Sequence, residues 1–285
     1  MLHKAAVKIG FKEPKKRLFK MFKFLENFGT SEIHLVHVTT KSSMRHHEDA
    51  RARLEEISLD VAKLGFTVKT HVRQGHLPTE FIDVAEAEGV DYLALYWIPF
   101  PMLRNALLGN MDSDILRLSC LPVFIYDPKL FKPAIELDSV LYATDFKHTD
   151  AVVLPYLVDS RFKARKLYLQ HVGSRAPDPV TEERRRQHIV TNLQRLAHEC
   201  AHAYDEIEII ETIGVARRQI VKQANANNVE LIVIGKSGNL DAVSQFIGST
   251  AENLPNKAKR NVFIIPGVCT LPSSAHGELS GSRTK

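Results

Sequence analysis

The strongest constraint on this 285-residue chain is that it repeats itself. Gly75 and Gly214 stand 139 positions apart, and so do Val90 and Val229, Gly109 and Gly248, and Val123 and Val262. His37 and His171 are 134 apart, so the second copy gains about five residues in its middle. One offset kept over four landmarks marks a tandem duplication. The junction falls around Lys129–Leu137, where Pro128 and Pro133 suit a linker. Domains are expected over residues 1–128 and 137–268. A tail, 269–285, is rich in Ser and Gly and is expected to be disordered.

Within each copy, strand-like and helix-like segments alternate. In the second, SVLYAT (Ser139–Thr144) is a short apolar run of strand formers, and Thr149–Phe162 reads as a helix. LYLQHV, ending at Val172, is a strand, and Thr181–Tyr204 has helical periodicity. IEIIET is a strand, Arg217–Asn227 a helix, LIVIG (Leu231–Gly235) a strand, Thr250–Ala258 a helix, and VFII (Val262–Ile265) a last strand. LIVIG and VFII are apolar throughout, as expected of strands buried on both faces of a parallel sheet. This alternation predicts an α/β fold of two tandem doubly wound domains, each with a parallel sheet flanked by helices. PVFIY (Pro122–Tyr126) and NVFII (Asn261–Ile265) would each leave an apolar sheet edge open, so they are expected to meet as an intramolecular pseudo-dimer. A further homodimer stays open.

Composition narrows the class. With 44% hydrophobic and 25% charged residues, the chain falls outside disordered, collagenous and disulfide-scaffold proteins. No apolar run approaches the roughly 18 residues of a membrane span, and the start has too short an apolar core for a secretory signal. Three cysteines, Cys120, Cys200 and Cys269, form no CxxC pair and suit a reducing compartment, so a cytoplasmic location is expected. The net charge of +5 invites a nucleic-acid partner. Its densest stretches, Lys12–Lys23 and Arg184–Arg186, read instead as solvated faces of amphipathic helices, so none is expected.

Ligands of a doubly wound sheet bind beyond the carboxyl ends of the strands, where strand order reverses. There the second copy carries Gly235-Lys236-Ser237-Gly238, then nine residues, then Gly248-Ser249-Thr250 opening a helix. Glycines let a ligand approach the backbone. A helix N-terminus favours an anion, and the hydroxyls of Ser249 and Thr250 can donate to phosphate oxygens. The competing reading is a tight turn followed by a helix cap. Thr144 and Asp145 follow the first strand at the same mouth. The Asp145 carboxylate suits a ribose hydroxyl or a water-bound Mg²⁺, and equally a helix cap.

ATDF after the first strand, HV ending the second, the GKSG loop and the GST at Gly-x2-Gly-x9-Gly-Ser spacing together resemble the universal stress protein family. The resemblance covers residues 3–127 and 137–268, strongly in the second copy and weakly in the first. It implies five-stranded parallel sheets, dimeric assembly through the last strand, a role in stress survival, and ATP, alone or with Mg²⁺, as ligand. By position it implies adenine and ribose contacts from Ala143, Thr144, Asp145 and Val172, with Ile234 nearby. Phosphate contacts would come from Gly235, Gly238, Gly248, Ser249 and Thr250.

The first copy departs from the pattern. Gly10 and Phe11 are aligned with Thr144 and Asp145, Tyr96 and Pro99 replace Gly235 and Gly238, and Asn110 and Met111 follow Gly109. It is expected to have lost the nucleotide and to serve packing or partner recognition. Trp97, Phe100 and Met102 would either form an apolar surface or, in preference, fill the vacated pocket, because exposed apolar patches are a liability. An ATP-binding stress protein whose output is a change of conformation or assembly is thus the leading reading. A scaffold without nucleotide and a slow ATPase are the alternatives. Catalysis lacks parts: there is no GxxxxGK[ST] loop, and Asp145, His148 and Lys236, the available bases, have no evident orienting partner. His46 and His47, beside Glu48 and Asp49, are neighbours on a helix and point apart, so no metal is assigned to them.

Overall fold

The computed structural model describes residues 1–97, 111–128, 137–146, 149–236 and 249–267. In the first half, β1 (Lys4–Lys8), β2 (Glu32–Thr39), β3 (Thr67–Gln74), β4 (Tyr92–Tyr96) and β5 (Val123–Tyr126) alternate with α1 (Lys15–Leu25), α2 (Met44–Ala62), α3 (Leu77–Ala87) and α4 (Met111–Leu118). The second half runs β6 (Ser139–Thr144), α5 (Thr149–Leu157), β7 (Lys166–Gly173), α6 (Pro179–Cys200), β8 (Glu206–Ile213), α7 (Ala216–Ala226), β9 (Leu231–Lys236), α8 (Ser249–Ala258) and β10 (Asn261–Pro266). Helix α6 starts two residues earlier than the periodicity suggests. Asp178 caps it, accepting from the N–H groups of Val180 and Thr181, and Pro179 follows at the first helical position.

All ten strands form one sheet in the order β3-β2-β1-β4-β5-β10-β9-β6-β7-β8. Pairing is parallel within each half and antiparallel where β5 meets β10, with Val262 opposite Ile125 and Ile264 opposite Val123. Each apolar edge strand is thereby covered by the other. Strand order reverses between β1 and β4 in the first half and between β6 and β9 in the second.

The halves also share a core on one face of the sheet. Phe28 stacks on Phe162 (5.4 Å between centroids) and on Phe263 (5.5 Å), and meets Phe124 edge-on (5.1 Å). Phe28 and Phe162 occupy equivalent places, 134 residues apart, just before β2 and β7. The opposite face packs α3, α4, α7 and α8 against β4, β5, β9 and β10 through Phe81, Ile115, Ile220, Leu254 and their neighbours.

Strand pairing corrects one alignment. Lys4 pairs with Glu32 and Ser139 with Lys166, so the first strands are offset by 135 and the second by 134. Ile9 and Gly10, rather than Gly10 and Phe11, therefore match Thr144 and Asp145. The connection from β1 to β2 is one residue longer than its counterpart, which an alignment anchored at His37 and His171 absorbs in the wrong place. Phe11 corresponds to Phe146. Both adopt positive φ (60° and 59°), and each packs its ring 4.3 Å from the repeat histidine.

Candidate functional site

At the switch point of the second half, the chain ends of β6 and β9 open a cavity of about 160 Å³. Ala143, Thr144, Asp145, Val172, Ile234, Gly235 and Thr250 line it, together with Thr149, Ala216, Ile220 and Ala251. Seven of the ten residues singled out from the sequence thus share one cleft. Gly238 and Gly248 lie outside the described residues, as does His148. Ser249 opens α8, with its backbone at the helix N-terminus.

The four lining residues that motif reasoning missed come from helices, not from strand ends. Ala216 and Ile220 are one turn apart on α7, and such an i, i+4 pair presents one face. They give the cleft an apolar wall, and their apolar character at helical spacing is the sign the sequence offers.

Local hydrogen bonds explain why the β6 end has its shape. The Thr144 hydroxyl donates to the buried Asp150 carboxylate (2.6 Å) and accepts from the Phe146 N–H (2.9 Å). The Tyr142 hydroxyl donates to the same Asp150 oxygen (2.5 Å), and its burial raises the phenol pKa. Thr144 therefore presents its edge to the cavity with the hydroxyl engaged by the protein. Asp145 is exposed at the mouth, where Thr149 Oγ1 lies 3.4 Å from its carboxylate.

His171 is a structural residue here. Its Nδ1–H donates to the Thr144 carbonyl (3.0 Å), and burial lowers its pKa, keeping the ring neutral. His37 repeats the arrangement on the Ile9 carbonyl (2.8 Å). Gly235 has a packing cause as well. A Cβ there would lie 2.4 Å from Thr149 Cβ, so β9 passes α5 at a distance that excludes any side chain.

Lys236 turns away from the cavity. Its ammonium donates to the carbonyls of Leu116 (3.0 Å) and Arg117 (2.9 Å), at the C-terminus of α4 in the other half. A cation there complements the helix dipole. Burial, with a smaller contribution from Arg117, nevertheless brings its pKa down to about 8. Arg117 also pairs with Glu252 on α8 (2.8 Å). The helix that opens at Ser249 is thus tied directly to the first half.

The equivalent place in the first half is built differently. Lys8 corresponds to Ala143 and Asp112 to Ala251, and their side chains form a largely buried ion pair. Tyr96 replaces Gly235, and Leu77 and Phe81 replace Ala216 and Ile220. Trp97 is fully buried. Phe100, Met102 and Pro99 lie outside the described residues. The sequence reading missed the ion pair that takes the place of two alanines.

Known proteins fit this layout. Residues 136–266, the half with the cavity, match the universal stress protein family. A curated universal stress protein from Methanocaldococcus jannaschii is 29% identical over 82 residues, which are 29% of this chain and 51% of the relative. The chain therefore spans about half the length of that relative. Two solved structures share the whole fold. One is a universal stress protein from Archaeoglobus fulgidus (TM-score 0.68, 19% identity, covering 94% of this chain and 98% of that one). The other is a functionally unknown protein from Pseudomonas aeruginosa (TM-score 0.70, 18% identity, 93% of each). At these identities the likeness is one of fold. No described helix is long and apolar enough to cross a membrane.

Proposed function

We propose, from the premise that the chain belongs to the universal stress protein family, that its second half binds one adenine nucleotide in a stress-response role. The observation that carries this reading is the cleft at the β6/β9 switch point, where a doubly wound sheet places its ligands. Ala216, Ile220 and Ile234 offer apolar contact for a base. Asp145 offers a carboxylate at the mouth for a ribose hydroxyl or for the waters of Mg²⁺. The start of α8 offers backbone N–H groups and a favourable dipole end for phosphates. Gly235 keeps the β9 end free of a side chain between them. These residues fit ATP. Gly238, Gly248, Ser249 and Thr250 complete the proposed phosphate site by sequence.

The proposed output is a change of conformation or assembly rather than turnover. Lys236 is engaged with carbonyl groups of α4, and the His171 Nδ1–H with the Thr144 carbonyl, so neither is oriented as a base toward the cleft. The Glu252–Arg117 pair supplies a physical route from the α8 N-terminus to the first half. Cytoplasmic location is part of the same proposal. Equilibrium ATP binding to Gly238→Val tests the site. Loss of one or two charge-assisted hydrogen bonds is worth about 1.5 to 3 kcal/mol each, so affinity should fall at least about tenfold with circular dichroism unchanged. Unaltered affinity would reduce the loop to a turn and a helix cap.

A further inference from the structure

A second cluster of polar side chains lies in the first half, on the sheet face under the C-terminal end of α3. His34 on β2 and His71 on β3 project from the same face, because His34 is opposite Lys69 and Val36 opposite His71 in the parallel register. Glu88, the residue that ends α3, reaches down onto them. His34 Nδ1 lies 3.1 Å from His71 Nε2 and 3.7 Å from Glu88 Oε2, and one ligand atom from each of the three residues falls within 4.8 Å of the others. The His34 side chain is fully buried.

We propose that His34, His71 and Glu88 form a binding site for a divalent transition-metal ion, with zinc the best match to the donor set. Two imidazoles and one carboxylate, with a water in the fourth position, are a common tetrahedral zinc set. Zinc–nitrogen bonds of about 2.0–2.1 Å put two ligands of a tetrahedral ion about 3.3–3.4 Å apart, which falls between the two separations seen here. The remaining nitrogen of His34 has the partner that a ligating histidine needs. Nε2–H donates to Glu32 Oε1 (2.8 Å), which leaves Nδ1 with its lone pair toward His71 and Glu88. Glu32 is thus a positioning residue. The negative end of the α3 dipole adds to the attraction for a cation.

The fold itself does not demand this cluster. In the second half the equivalents of Glu32, His34, His71 and Glu88 are Lys166, Tyr168, Ile210 and Asn227, which cannot form such a set. The same sheet position is therefore satisfied by ordinary packing in one half and by three convergent donors in the other. Lys69 competes for the site. Its ammonium lies 3.2 Å from Glu88 and 3.4 Å from Glu32, and it is half exposed, free to swing into solvent as a metal ion enters.

Titration of the full-length, metal-stripped chain with Co²⁺ and Zn²⁺ tests the proposal without reference to nucleotide. Co²⁺ should bind one per chain, produce the visible absorption of a tetrahedral site, and be displaced by Zn²⁺. His71→Gln and Glu88→Gln should each weaken Zn²⁺ binding by at least about tenfold, and Glu32→Gln by about the same or less. Lys69→Met should strengthen it, an outcome a purely structural charge network would not produce. His46→Ala with His47→Ala should leave it unchanged. Absence of a tetrahedral cobalt spectrum in the parent would overturn the site. So would zinc affinity that follows His46 and His47 or ignores His71 and Glu88. The cobalt spectrum of the parent decides even if substitutions at these half-buried positions unfold the chain.

Discussion

Two crevices at equivalent places in one sheet have opposite contents. In the second half, Ala143 and Ala251 face an open cleft above Gly235. In the first, Lys8 and Asp112 stand at those positions and pair with each other, with Tyr96 at the glycine position. Strand order is the same in both halves, and the contents of the crevices differ in a few side chains. Two small residues leave room for a ligand, and two long charged ones supply an internal partner in its place. A buried ion pair adds little net stability relative to apolar packing, but removing one member is costly. The pair therefore supplies an internal partner where the second half has two alanines, whatever it contributes to overall stability.

The halves are different in content yet fused in packing, and the largest expected effect comes from breaking that fusion. Phe28→Ala removes a fully buried ring that stacks on Phe162 and Phe263 of the other half. It should cost about 3–5 kcal/mol in denaturant unfolding, in one transition if the halves unfold together. A loss under about 1 kcal/mol would mean that the shared aromatic core is incidental.

Exchanging contents sharpens the comparison next. Ala143→Lys with Ala251→Asp installs the first-half pair in the second half. ATP affinity should fall at least about 100-fold, roughly 2.7 kcal/mol, with the fold retained. The reverse exchange, Lys8→Ala with Asp112→Ala, should not create a second site, because Gly10 stands where Asp145 does and Tyr96 still occupies the glycine position. Binding calorimetry checks both, and a new site from the reverse exchange would show that the ion pair alone closes the first crevice.

A smaller effect separates packing from ligand contact at Gly235. Gly235→Ala should destabilise the chain by about 1–3 kcal/mol, because its Cβ meets that of Thr149. Adding Thr149→Gly should recover much of that loss in thermal unfolding. ATP affinity that recovers in step would mean that Gly235 serves the ligand only by letting β9 and α5 come close.

The smallest effect concerns a clamp beside the cleft. Arg185 bridges Glu182 and Glu211 (2.7 Å each), and its hydrogen bond holds Glu182 down to about 2. A depressed carboxyl pKa stabilises the fold above its ordinary value, near 4.5, and that contribution is lost as pH falls toward 2. Arg185→Met should flatten this part of the acid-unfolding curve. An unchanged slope between pH 4.5 and 2 would show that the pairing carries no folding energy.

Much of this was legible in the residues themselves. Ser139–Thr144 emerges as β6 with the expected boundaries, because a continuous apolar run between polar segments has few other places to go. Part of the cleft lining was legible too, through Thr144, Asp145 and Gly235 at strand ends and Thr250 at a helix start. Three features were not. Lys8 and Asp112 are 104 residues apart, and each alone looks like a surface charge. The His34–His71–Glu88 cluster depends on a diagonal across two strands and the end of a helix, which no linear spacing encodes. The one-residue slip at Gly10 arose because turns absorb insertions while strands fix register.

If the second crevice binds ATP and the first does not, calorimetric stoichiometry on the full-length chain shows it most directly. One ATP per chain is expected, abolished by Ala143→Lys with Ala251→Asp and unaffected by Asp112→Asn. A stoichiometry near two, or binding that survives the first exchange and is lost with the second, would contradict it.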